Sequence, residues 1–503
     1  MEGGARRIQN NITTMNIKNI FSRISITIGL PSVKWYRTLY TSALTLTLIS
    51  CNSFLDITPD GQAKRDEMLQ TKSGIEDALY GVYAQMRQSN LYGCELSIRG
   101  VEVLAQNMTC PGNDGIEMLQ TYDYEKSDIK SWAESIWTLM YNNISNANSV
   151  LQADLVKNAT DFPFTTYKGE ALALRAFMHF DLVRLFTPQY TLNQQASGIP
   201  YQTDFSLKTP DFESLQKNYE HILADLLEAE RLLKVQPAHS YELTAFMNDP
   251  QTHLNLYAVW GTLARVYLTM GNKDKALAYA DSVITRSPYQ LKEKTEVIND
   301  VAGVLSQKET LFGIYYADFY GTTSELLQKR TFYQSLDPRD DFMTYYERES
   351  LPLDYRTSAY FTQIEAGGQY FYRLSKFTDI YELNGIDSSR PTNLILGINL
   401  MRIPEMYYIA AECLLDTHPE QAKKYYNEVR AHRGLATLDA TTPLTQELID
   451  IEFFKEYFGE GQQFFRYKRL NQPIPAYDAK STYPASDKIY VIPIPNSEYA
   501  NRY

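Results

Sequence analysis

Long apolar runs are missing from this 503-residue chain. The longest, Ala43 to Ser50 with its neighbours, falls far short of the roughly 20 residues that cross a bilayer as a helix, so no helical span is expected. Histidine is scarce. His179, His221, His239, His253, His418 and His432 fall in different segments, and none is spaced as a zinc-ligand pair. The helical metalloprotease motif, the Gly-x-Ser-x-Gly elbow, the phosphate loop and a paired Cys-x-x-Cys are all absent. The sequence thus offers no positive reason to read an enzyme, and no motif for a cofactor or a metal. Glu456 and Glu460 stand four apart, a spacing that a glycosidase pair could use. Two carboxylates on one helix are ordinarily a solvated face, and that is the expectation here.

Excess positive charge is also lacking. The net charge is -12. The first fifty residues carry Arg6, Arg7, Lys18, Arg23, Lys34 and Arg37 against Glu2, a balance of +5 that leaves -17 from Cys51 onward. An acidic body repels phosphate backbones, which excludes nucleic acid as a partner. The change of sign at position 51 gives the two parts different fates. Length alone would allow two to four domains, and a composition 44% hydrophobic and 21% charged is that of a globular protein with a sizeable core.

The N-terminal part has the layout of a secretory signal: Lys34 and Arg37 flank a short apolar core, YTSALTLTLIS, from Tyr40 to Ser50. It ends in Leu48-Ile49-Ser50-Cys51, which resembles a bacterial lipobox, where a small residue precedes a cysteine that is cleaved and acylated. Residues 1–50 are therefore read as a lipoprotein signal peptide, Cys51 as the lipidated mature N-terminus, and 51–503 as a single helical domain. Initiation at Met15 would leave that reading unchanged. Of the other cysteines, Cys94 and Cys110 are close enough in sequence to bridge in an oxidising compartment. Cys413, in an apolar helical pattern, reads as a buried thiol.

Beyond the leader, apolar residues recur at three- and four-residue steps. Ile75, Leu79, Val82 and Met86 mark a helix over 73–88; Trp132, Ile136, Leu139 and Ile144 mark another over 129–151. Glu170–Phe186 predicts a third, stopped by Pro188, and 211–234 a fourth. In the third, Arg175, Asp181 and Arg184 are spaced for local pairing. From Asn255 to Pro288 the chain resembles a tetratricopeptide unit. Trp260, Leu263, Ala264 and Tyr267 lie on one helix, Gly271-Asn272 at the turn, and Ala276, Ala280 and Val283 on the next, with Ala280 where an aromatic is usual. Pro404–Arg433 repeats the pattern around Thr417-His418-Pro419. One helix pair cannot bury its own apolar face, so a stack is expected. The predicted fold is mainly α: a tetratricopeptide-like superhelix of helix pairs carrying an irregular, aromatic-rich insert at about 291–402. Tyrosine, at 39 residues against 4 tryptophans, supplies many of the insert's rings.

Five segments recur in order along the chain: Cys51–Asp56 with Pro59; Leu174-Arg175-Ala176 through Phe180, Leu182 and Phe186; and Arg402, Pro404, Glu405 and Ala411-Glu412. Glu452 follows, with Phe458–Phe465 and Lys468-Arg469, and then Ile492–Pro495 with Glu498 and Asn501. Together they resemble the SusD/RagB family of nutrient-binding outer-membrane lipoproteins of Bacteroidetes. The chain departs from the family pattern at Phe453-Phe454 and Gln463, where arginines are common, and at Arg466, where an aspartate is common. These departures put local salt bridges in question.

The resemblance implies a SusD-like fold and a surface-exposed lipoprotein, lipid-anchored in the outer membrane. It would bind a nutrient, foremost an oligosaccharide or polysaccharide, otherwise a peptide, and deliver it without catalysis to a SusC-like TonB-dependent transporter. It also implies ligand contacts from an early loop (Tyr92, Asn107 and Tyr122) and from the insert (Tyr315, Tyr316, Phe319, Tyr320 and Tyr333). Neither region holds a tryptophan, so a tryptophan platform for sugars is not available. Two other readings compete: a lipid-anchored tetratricopeptide-type scaffold for protein partners in the periplasm, and a lipid-anchored glycoside hydrolase.

Overall fold

The first long helix, α1 (Lys72–Met86), begins where the chain supplies a cap: Thr71 Oγ1 accepts the Gly74 N–H. In this computed structural model the described residues are 65–109, 115–234, 246, 248–299, 303–327, 337–339, 341–348, 353–366, 368–379, 394–500 and 502. They fall in one compact unit, Lys64–Tyr503. The helices that follow are α2 (Ser127–Gln152), α3 (Phe164–Phe186), α4 (Leu215–Lys234), α5 (Leu256–Thr269) and α6 (Lys273–Arg286). After the insert come α7 (Ile403–Leu414), α8 (Pro419–His432), α9 (Gln446–Tyr457) and α10 (Gln463–Leu470).

From α1 to α8 each helix packs on the next, including α6 on α7 across the intervening insert. This is the expected stack of four pairs. Its tightest turn is at Gly271, whose positive φ of 76° suits glycine, while Asn272 caps α6 by accepting from the Lys275 N–H. Ala264 on α5 and Ala276 and Ala280 on α6 are fully buried. The missing aromatic at position 280 is explained by close helix approach. Within the described part of the insert, β1 (Thr310–Tyr315) pairs antiparallel with β4 (Gly397–Arg402), and β2 (Phe361–Ala366) forms a hairpin with β3 (Gln369–Leu374).

Every residue of α3 from Gly169 to Phe186 is buried, which corrects one expectation. Arg184 pairs locally with Asp181, but Arg175 does not. Its Nε and Nη2 donate to Asp225 on α4 at 2.7 and 2.6 Å, and Nη1 donates to Asn148 on α2 at 2.9 Å. A helix enclosed on all sides must match its charges with those of its neighbours.

The second correction concerns Glu456 and Glu460, which are buried rather than solvated. Glu456 accepts from Arg402 at 2.7 Å, from Arg433 at 2.9 and 2.8 Å, and from Arg356 at 3.2 Å. Glu460 accepts from Arg402 at 2.9 and 2.7 Å. Arg433 also reaches Glu309, and Arg356 reaches Asp354 and Glu452. This buried lattice ties the insert (Glu309, Asp354, Arg356 and, on β4, Arg402) to the end of α8 and to α9. Burial alone would raise the Glu456 carboxyl, but Arg433, Arg402 and Arg356 together outweigh it and hold the group well below the usual range. A glycosidase acid needs the opposite shift. Two of the departures from the family pattern are absorbed locally: Arg466 pairs with Glu412 at 3.1 Å and with Asp450, and Phe453 and Phe454 are buried apolar rings; Gln463 is buried with its Oε1 finding no hydrogen-bond partner among the described residues.

The same chemistry predicts acid sensitivity. Burial opposes ionisation of Glu412 and Asp354, yet Arg469 and Arg466 beside the first, and Arg356 and Lys455 beside the second, bring both to about 2. Carboxyls whose folded value lies below the unfolded one stabilise the protein above about pH 4 and lose that contribution as pH falls towards 2. Melting temperature measured from pH 7 to 2 should drop across that window. The drop should be smaller in Glu412→Gln, whose stability is already reduced at pH 7. A wild-type curve flat to pH 2 would contradict this.

Candidate functional site

Tyr80, Ala84 and Arg87 lie at i, i+4 and i+7, along the outward face at the end of α1. The neighbouring Tyr83 turns inward; its hydroxyl meets Glu170 and accepts the Leu254 N–H at 2.9 Å. Tyr80 remains 45% exposed. Its ring stands edge-on to Phe246 with centroids 4.6 Å apart, and 6.1 Å from His253. Tyr315, the last residue of β1, is 50% exposed. With Leu394, Ile395, Asp249 and Thr252, these residues line a groove of about 610 Å³, within the range of small-molecule sites. His253 is held at its base by Nδ1, 2.6 Å from Glu170 Oε1. Along the same wall, the Arg87 guanidinium lies 5.4 Å from the Tyr316 ring.

The groove therefore combines exposed ring faces with a guanidinium and a carboxylate at its edges. Rings stack on apolar faces of a ligand, while Arg87 and Asp249 can bond hydroxyl groups. Among the described residues no group of three or more His, Cys, Asp or Glu could hold a metal.

Of the expected contact residues that are described, only Tyr315 lines this groove. Tyr316 stands next to it, half-buried, its hydroxyl bonded to Thr322 Oγ1 at 2.7 Å. Tyr320 is half-buried against the core, and Phe319 is fully within it. The early-loop residues are interior as well. Tyr92 donates to Asp181 at 2.7 Å, and Tyr122 donates to the Leu104 carbonyl at 2.8 Å. Asn107 donates to Glu102 at 2.8 Å, a carboxyl that burial pushes up to about 7. The two tyrosine hydroxyls are consumed by the fold, Asn107 is fully buried, its Oδ1 without a partner among the described residues, and all three, with Phe319, are withdrawn from the surface. Tyr333, Cys51 and Cys110 lie outside the described residues. Cys94 and Cys413 are buried, and Trp132, Trp137 and Trp260 are core residues. Tyr80, Phe246 and Arg87 escaped the sequence reading. The available signal was Tyr80 itself, a large ring out of register with the apolar stripe Ile75, Leu79, Val82 and Met86.

Residues 53–268 match a SusD-like family described as starch-binding and associating with the outer membrane, and residues 269–501 match the SusD family. The chain is 23% identical over 513 residues to SusD-like protein P2 of Formosa agariphila, covering 90% of this chain and 95% of that protein. Its fold is similar to that of a SusD superfamily protein from Bacteroides thetaiotaomicron, with a TM-score of 0.67 at 23% identity over 85% of this chain and 97% of the other. It is also similar to surface glycan-binding protein A from Bacteroides uniformis, with a TM-score of 0.65 at 20% identity over 86% and 98%. No helix among the described residues is long and apolar enough to cross a membrane. The two matches adjoin and together run from the residues just after Cys51 almost to the C-terminus, and the stacked helix pairs agree with them: this chain belongs to the SusD/RagB family.

Proposed function

We propose that the protein captures an oligosaccharide or polysaccharide in the Tyr80–Tyr315 groove and hands it, without catalysis, to a TonB-dependent transporter. An acylated Cys51 would hold it at the outer membrane meanwhile, as a single domain following a cleaved 1–50 signal. The observation that carries this reading is the groove itself: two tyrosine rings about half exposed, facing a cavity of sugar-binding size, on a rigid helix and a paired strand. The surface glycan-binding protein that shares this fold supports the ligand class. Buried, arginine-locked Glu456 and Glu460 weigh against hydrolysis. Exposed rings suit a small ligand better than the long apolar face a partner helix would need.

Stacking that covers about 40 Å² of apolar area contributes about 1 kcal/mol. Tyr80→Ala and Tyr315→Ala should each weaken glycan binding roughly fivefold in calorimetric titration. Tyr92→Phe, in the interior, should leave it unchanged. Binding that survives the double Tyr80→Ala, Tyr315→Ala variant at wild-type affinity would place the ligand elsewhere.

A further inference from the structure

His253 stands just ahead of α5 and is 3% exposed, yet it lines the Tyr80–Tyr315 groove. Packing fixes its ring. The Phe246 centroid lies 4.7 Å away, and the Tyr83 ring stands edge-on at 5.5 Å and 81°. Hydrogen bonds from α1, α3 and the start of α5 fix its Nδ1. The Leu254 N–H donates to the Tyr83 hydroxyl at 2.9 Å, that hydroxyl donates to Glu170 Oε1, and Nδ1 lies 2.6 Å from the same oxygen. A main-chain N–H can only donate, so the tyrosine hydrogen is directed at the carboxylate. A carboxylate can only accept, so Nδ1 carries the ring hydrogen. In the neutral ring this leaves Nε2 as a bare acceptor.

Nε2 has no hydrogen-bond partner among the described residues, and it does not belong to the partnerless atoms sealed in the interior. The open space beside the ring is the groove it lines. His179 is the contrast. It is fully buried, its Nδ1 lies 2.9 Å from the Arg175 carbonyl, and its Nε2 accepts the Gln202 N–H at 3.1 Å. The fold uses both nitrogens of His179 and only one of His253. Tyrosine faces hold a sugar ring without regard to its substituents. A fixed acceptor between such faces adds direction, because it is satisfied only by a group that carries a hydrogen to donate.

We infer that His253 Nε2 accepts a hydroxyl hydrogen of the bound glycan and is the specificity-determining polar contact at the groove floor, an inference that rests on the groove being the glycan site. Sugars with a free hydroxyl at the floor are retained, and those deoxygenated or methylated there are rejected. The test begins without sugar. Diethyl pyrocarbonate acylates imidazole nitrogens that are bare and reachable. Peptide mapping of the treated full chain should find His253 modified and His179 untouched. Glu170→Gln can offer Nδ1 a donor instead of an acceptor, which moves the ring hydrogen to Nε2, and should suppress labelling of His253. Calorimetric titration with maltoheptaose and laminarihexaose follows. His253→Phe keeps a ring in place and should weaken whichever of them binds about tenfold. The same sugar should protect His253 from the reagent. A His253 as inert as His179 would overturn the inference, and this outcome can be read even if His253→Phe does not fold. Tyr80-dependent binding undiminished in His253→Phe would overturn it while the groove stands. Binding by neither sugar, or binding indifferent to Tyr80→Ala and Tyr315→Ala, would count against the groove itself and take the inference with it.

Discussion

Substituting Glu456 by glutamine should lower the unfolding free energy by about 3–5 kcal/mol. The carboxylate is fully buried and receives hydrogen bonds from Arg356, Arg402 and Arg433. Glutamine is nearly the same size, so the loss is not one of packing. It leaves three guanidinium groups to share the remaining carboxylates, and it turns one acceptor atom into a donor that faces them. At about 2.1 cal/mol/K of unfolding entropy per residue, a unit of this length should melt roughly 3–5 °C lower. The matched control is Glu420→Gln. Glu420 also pairs with a lysine, Lys423, at 3.4 Å, but its own side chain is 75% exposed, and exposed pairs contribute at most about 1 kcal/mol. If the two variants melt together, the lattice does not hold the insert to the helices. Limited proteolysis adds an independent readout: cleavage within 309–356 should become faster in Glu456→Gln and not in Glu420→Gln.

Cys51→Ala should move the protein from the membrane fraction to the soluble fraction, with a change of roughly tenfold or more in their ratio. Each acyl methylene contributes about 0.8 kcal/mol of membrane affinity, and durable anchoring takes more than one chain. The described helices offer no span to replace that contact. The purified variant should bind glycan as wild type does, because the groove residues named above lie between 80 and 395. A variant that remained membrane-bound at the wild-type level would remove the lipid from the account while leaving the groove untouched. Intact-mass measurement of the wild-type protein adds a direct check: acylation at Cys51 adds mass at the N-terminus, and an unmodified chain beginning elsewhere would contradict it.

The helix stack was legible in the sequence, because each helix announces itself locally. The stripe Ile75, Leu79, Val82 and Met86, the Gly271-Asn272 turn and the small residues Ala264, Ala276 and Ala280 act over a few residues and need no knowledge of distant partners. Family membership was legible for a related reason: short motifs in a fixed order survive where the intervening sequence has drifted. The contact residues were far less legible. Tyr92, Tyr122 and Tyr315 are the same residue type, and nothing in the few residues around each tells whether its ring will be buried. Which of them keeps a ring in solvent depends on Asp181, on the Leu104 carbonyl and on the end of β1, and these meet only after folding.

Charge shows the division most sharply. Spacing along α3 correctly paired Asp181 with Arg184, but it could not foresee that Arg175 reaches Asp225 across to α4. Helical periodicity placed Glu456 and Glu460 close together and, by ordinary expectation, in water. The sequence by itself determined a mainly α stack of helix pairs, an acidic body behind a basic N-terminal segment, and the family. The tertiary structure alone decided which carboxylates are buried and which tyrosines remain exposed. Helix formation is written in contacts three and four residues apart, whereas burial and ion pairing are set by groups tens to more than a hundred residues away, 50 for Arg175 and Asp225 and 124 for Arg433 and Glu309, whose positions no local pattern encodes.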